Sequence, residues 1–105
     1  MIALVVRFDI RDEESAAGFD ALTRQAVAQI RAAEPGTLVY ATHRVADEPL
    51  ARVFYEVYAD EAAFQAHEQA PHVIAFHAAK DPLVAAQRVE FLEPDVSKGL
   101  PDGER

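Results

Sequence analysis

The chain has 105 residues and no cysteine, so disulfides, thiolate metal centres and cysteine nucleophiles are excluded, and the length suits one domain with one core. Half of the residues are hydrophobic and only four are glycine, which predicts a packed globule rather than disorder. The formal net charge is −8 and the arginines are scattered, an arrangement that argues against nucleic acid or an anionic membrane as partner.

Ile2–Asp9 reads as a strand of β-branched and aromatic residues, and its apolar run from Ile2 to Val6 stops at Arg7. That run is too short for a signal peptide or a membrane span, so a cytoplasmic location is expected. Asp12, Glu13, Glu14 and Ser15 suit a helix N-terminus. Phe19, Leu22, Ala26, Val27, Ile30 and Ala33 then recur on one helical face until Glu34-Pro35-Gly36 ends it. Thr37–Val45 is a second strand, Ala46–Leu50 a turn, and Arg52–Ala59 a third strand, so these two strands form a hairpin. Asp60 can cap the next helix, with Ala63, Phe64 and His67 on its buried side. Pro71 fits a kink, or the first turn of a helix continuing to about Lys80. Asp81-Pro82 stops it, and Gln87–Leu92 is the last strand.

The order β-α-β-β-α-β predicts an α+β fold: a ferredoxin-like sandwich with a four-stranded antiparallel sheet and the helices on one side. The domain is expected over residues 1–93, with 94–105 as a polar tail. Strand three carries Phe54, Glu56 and Tyr58 on one face and Val53, Tyr55 and Val57 on the other. Helices cover only one of these largely apolar faces, so a homodimer that buries the other is expected.

Few chemistries fit the residues present. His67, His72 and His77 are five apart, which turns each about 140° from the last on a helix, whereas metal-binding pairs usually sit three or four apart; no metal site is expected. Ser15 and Ser97 lie at a helix start and in the tail, not on a strand-to-helix elbow. The glycines are isolated, so no phosphate loop and no tightly held nucleotide cofactor is expected. General acid–base chemistry remains. Glu56 sits mid-strand among apolar neighbours, where burial raises a carboxyl pKa unless a donor compensates. It is either a structural tie from helix to sheet or an acid–base group, with His67 within sequence reach. His72 is either a helix-start contact or a proton acceptor. His77 is either a half-exposed ring or part of a cleft beside Phe76, and His43 suits a sheet-face histidine. Arg7 either snorkels at an edge or brings a positive charge into a pocket. Tyr40, Tyr55 and Tyr58 are ordinary strand residues by propensity, and any of them could donate a hydrogen bond to a phenolic ligand.

Glu34-Pro35-Gly36, Tyr40, then Tyr55, Glu56, Tyr58, Asp60, Phe64, His67 and His72 form a pattern that resembles the antibiotic biosynthesis monooxygenase family, which includes small quinol monooxygenases. The resemblance spans about residues 1–93. It implies a dimeric α/β barrel and a cofactor-independent monooxygenase, an oxidoreductase that oxidises a small or polycyclic phenol or quinol with O₂. Such a site needs an apolar slot, a base and oriented hydrogen bonds. On this reading Glu56, His67 and His72 are the catalytic candidates, while Arg7, Phe54, Tyr58, Phe64, Phe76 and His77 contact a small aromatic substrate.

Haem-degrading relatives of this fold resemble a set of strand-one Asn, strand-three Trp and helix His. Arg7, Tyr58 and His77 stand at those places here, and only the last agrees. The same scaffold also hosts a proton-transfer isomerase or cyclase, or a non-catalytic dimeric binding protein, as the competing expectations.

Overall fold

The structure, a computed structural model, describes residues 1–100. Strands β1 (Ile2–Ile10), β2 (Thr37–Val45), β3 (Glu48–Tyr58) and β4 (Val84–Leu92) form one sheet in the order β2-β3-β1-β4, with every neighbour antiparallel. Helices α1 (Glu13–Ala33), α2 (Glu61–Gln69) and α3 (Pro71–Lys80) fill the crossovers, giving the ferredoxin-like α+β sandwich. Residues 93–100 contain no helix or strand, and residues 101–105 of the expected tail lie outside the described residues.

Local chemistry sets the element ends. Asp12 caps α1 by accepting from the Ser15 amide at 2.8 Å, and Asp60 caps α2 through the Ala63 amide at 2.8 Å. Of the two expectations for Pro71, the structure shows the first turn of a helix reaching Lys80, separate from α2, and not a kink within one helix. Proline disfavours helical backbone in the preceding residue, so Ala70 is extended (φ −66°, ψ 134°) and α3 starts at Pro71. The hairpin turn is tighter than Ala46–Leu50: β3 begins at Glu48, and Asp47 takes the positive φ of 65°. Pro49 is tolerated because β3 there has outrun β1, whose last pairing is Asp9 with Ala51. Strand β4 also starts earlier than expected, at Val84, straight after a 3₁₀ turn over Asp81–Leu83.

Period-two alternation sends Leu4, Val6, Phe8 and Ile10 of β1 toward the helices, each buried. Phe8, Phe19, Phe54 and Phe76 meet there as tilted or edge-on rings, with centroids 4.8 Å apart for Phe8–Phe54 and 5.1 Å for Phe8–Phe19. Burying each such ring contributes about 1.5–3 kcal/mol. This cluster holds α1 and α3 against β1 and β3, while α2 packs over β2 and β3. The opposite sheet face carries Val5, Val53 and Tyr55, and also Arg7, which pairs with Glu48 at 2.8 Å and with Asp9 at 3.0 Å. No helix of the described residues is long and apolar enough to cross a membrane.

Candidate functional site

A cavity of about 300 Å³ lies between the helix-facing side of the sheet and the α2–α3 pair. Leu4, Val6 and Phe8 of β1 form its floor with Tyr40 of β2 and Glu56 of β3. Phe64, His67 and Glu68 of α2 and Phe76 and His77 of α3 form its roof. Gln87, Val89 and Phe91 of edge strand β4 frame its mouth; Val89 is 44% exposed and Phe91 64%. The break at Ala70 lets α2 and α3 each present its own face, so that His67 of α2 and His77 of α3 line one hollow.

Glu56 is buried, and its Oε1 accepts a hydrogen bond from the Tyr58 hydroxyl at 2.5 Å. Burial pushes its pKa above the ordinary carboxylate value, against the hydrogen bond from Tyr58 and the nearby charge of His67. The Tyr58 phenol is driven far up by its own burial and by the Glu56 charge, so it stays a donor. Tyr40 is raised well above its usual value, first by burial and then by Glu56 and Glu34. The His77 pKa is lowered by burial and by Lys80.

The hub of the site is Glu34, the C-cap residue of α1. Its Oε1 accepts from the Thr37 hydroxyl at 2.7 Å and from His67 Nδ1 at 2.7 Å, and its Oε2 bonds His72 Nε2. Burial works against this carboxylate, but the donors from Thr37, His67 and His72 outweigh it and hold its pKa below the ordinary value. A carboxylate only accepts, so the facing nitrogens of both rings are N–H donors. With Nδ1 of His67 carrying that hydrogen, the neutral form of the ring is the one whose lone pair is on Nε2. Gly36 makes the approach possible: a Cβ there would stand 2.6 Å from the Ala63 Cβ, so only glycine lets α2 come close enough for His67 to meet Glu34.

Among the sequence candidates, Glu56, His67, Phe64, Phe76 and His77 line the cavity together. Tyr58 is fully buried behind Glu56, its ring 5.0 Å from that of His67 and 5.3 Å from that of Phe64. Phe54 is core, packed among Phe8, Phe19 and Phe76. Two candidates lie elsewhere. Arg7 is on the opposite sheet face, because it is one residue out of phase with Val6 and Phe8, and so brings no charge to the cavity. His72 points away from it, to the outer side of Glu34, because five residues on from His67 the chain has crossed the α2–α3 break.

Sequence reasoning took Glu34 only as part of a family pattern and passed over Glu68. A signal for Glu34 was present: an acidic residue at a helix C-terminus opposes the helix dipole, and it is retained only with partners. Among the described residues, no group of three or more His, Asp or Glu side chains is arranged to hold a metal ion.

The model of the family described as antibiotic biosynthesis monooxygenase matches residues 1–79. A crystal structure from Caulobacter crescentus, proposed to be such a monooxygenase, is 29% identical, with a TM-score of 0.84 over 90% of each chain. Another from Bacteroides thetaiotaomicron, also proposed to be one, is 25% identical, with a TM-score of 0.86 over 95% of this chain and 93% of that one. A variant of SnoaB, a cofactor-independent oxygenase from Streptomyces nogalater, shares the fold at 19% identity, with a TM-score of 0.79 over 93% of this chain and 96% of its own. Comparison with curated proteins gives no match.

Proposed function

The chain belongs to the antibiotic biosynthesis monooxygenase family, and on that premise we propose that it is a cofactor-independent oxygenase of a small phenol or quinol, with His67 as the base. The observation that carries this reading is the Glu34–His67 pair: Glu34 engages Nδ1 at 2.7 Å, which leaves Nε2 as the proton acceptor of a ring that lines the cavity. The carboxylate also fixes the orientation of the ring. The oxygenase SnoaB, a protein of the same fold, supports the reaction class.

A phenol that loses its proton to His67 becomes electron-rich enough to reduce O₂. Addition of oxygen to the ring and loss of water then give a quinone: phenol plus O₂ yields quinone plus H₂O. Glu56, with its raised pKa, and the Tyr40 phenol, which stays protonated, are placed to hydrogen-bond the substrate oxygens. Phe64 and Phe76 offer ring faces for stacking. The volume of about 300 Å³ is at the small end of ligand sites and favours one or two rings over larger polycycles.

The second, largely apolar sheet face is proposed to bury against another copy, as the sequence also led us to expect. Oxygen uptake with a panel of quinols and phenols tests the activity, with His67→Ala as control. Consumption of O₂ at one equivalent per quinone formed is the expected result. Turnover without O₂ consumption would replace the oxygenase by an isomerase or cyclase. Ligand-induced stabilisation with no turnover of any panel member would leave a binding protein.

A further inference from the structure

On the far side of the aromatic core from the cavity, α1 overhangs edge strand β2, and the two elements enclose a cleft of about 160 Å³. Its walls bring Arg24, Arg44 and Arg52 together around a single carboxylate, Asp20. Three guanidinium groups against one carboxylate leave two positive charges in excess, inside a chain whose net charge is −8.

The hydrogen bonds show which of these charges are already spent. Arg52 is 4% exposed; its Nε and Nη2 reach the two Asp20 oxygens at 2.9 and 3.1 Å, and its Nη1 donates to the Pro49 and Ala51 carbonyls. Asp20 and Arg52 are thus a fixed floor. Arg44 spends one nitrogen on Asp20, at 2.9 Å. Arg24 has no hydrogen bond or ion pair among the described residues, though it lies near enough to Asp20 to help hold that carboxyl below its usual range. The Thr23 hydroxyl, on the same wall, is buried and has no partner among the described residues. A buried hydroxyl without a partner is costly, and it is satisfied if a ligand acceptor sits beside it.

We propose that this cleft between α1 and β2 is a second site, separate from the cavity, that binds a small oxyanion of the phosphate type through Arg24 and Arg44, with Thr23 as a neutral donor. Guanidinium forks match the paired oxygens of such a group. The buried Arg52 neutralises Asp20, which leaves the charges of Arg24 and Arg44 for the ligand. The volume of about 160 Å³ admits a tetrahedral oxyanion.

The test is a titration of the full chain with sodium phosphate, following the backbone amides of α1 and the arginine side-chain N–H signals by ¹H–¹⁵N NMR. Sodium chloride at matched ionic strength is the control. The expected result is a saturable shift at Thr23, Arg24 and Arg44 with phosphate that chloride does not reproduce. In the double variant Arg24→Ala/Arg44→Ala, whose altered side chains are exposed and whose fold is checked in the same spectra, binding weakens at least tenfold. Thr23→Val weakens it less. Phenyl phosphate titrated in parallel tells a phosphorylated small molecule, which binds more tightly than the free ion, from free phosphate, which does not. Equal shifts with chloride, or undiminished phosphate binding in the double variant, overturn the proposal.

Discussion

Two buried carboxylates sit within one site, and the structure predicts opposite pH signatures for them. In Glu34→Gln, three donors that met a carboxylate now meet an amide with one acceptor end and one donor end. One donor from Thr37, His67 or His72 is left facing an NH₂ group, at a cost of about 1–3 kcal/mol, and the remaining bonds lose charge assistance worth about 1 kcal/mol. The total of about 2–4 kcal/mol lowers the melting midpoint of a chain this size by roughly 10–25 °C at pH 7. The folded pKa of Glu34 is below the ordinary 4.5, so its contribution is present above that value and is lost as pH falls through the folded one. The gap between parent and Glu34→Gln therefore narrows on acidification. Glu56 behaves in the opposite sense. Its folded pKa is above 4.5, so its contribution is full below that value and is lost as pH rises through the folded one. Parent and Glu56→Gln then differ least in acid, where both side chains are neutral and nearly the same shape, and the variant gains on the parent toward neutrality, where the ionised carboxylate is costly to bury. Thermal melts of the three proteins from about pH 2.5 to 8 measure both slopes, that of Glu34 below pH 4.5 and that of Glu56 above it. Parallel slopes, or a Glu34→Gln midpoint at pH 7 within about 2 °C of the parent, would refute the assignment of Glu34 as the charged hub.

Other perturbations follow from single contacts. Tyr58→Phe removes the hydroxyl that donates to Glu56 at 2.5 Å and should cost about 1–2 kcal/mol in urea unfolding, with the Glu56 titration moved further up by NMR. Gly36→Ala forces a Cβ to 2.6 Å from Ala63 and should destabilise by about 1–3 kcal/mol, with loosened His67–Glu34 contact visible in the ring ¹⁵N shifts. His67→Ala should cut kcat by about 10²-fold or more as loss of a general base, whereas His72→Ala, outside the cavity, should leave KM unchanged and act mainly on stability. Equal kcat losses in both variants would show that the cavity face of His67 has no special role.

Much of this protein was legible without coordinates because the relevant signals are local. Alternation in Ile2–Asp9, the 3.6-residue spacing from Phe19 to Ala33 and the acidic caps Asp12 and Asp60 depend on neighbours only a few residues away, and the strand and helix order then leaves few ways to fold. The same alternation placed Glu56 and Tyr58 on one face of β3. What the linear order does not contain is which groups from separate elements meet. Arg7 and Glu56 both interrupt apolar strands, yet one faces Glu48 on the open side of the sheet and the other a cavity, because one position of register separates the two faces. His67 and His72 look equivalent as spaced histidines, but the α2–α3 break turns them to opposite sides of Glu34. Local patterning thus determined the elements and the sheet. The pairing of Glu34 with two rings more than thirty residues away was decided only by packing, since the close approach of α2 to Gly36 is a property of the assembled layers and not of any segment alone.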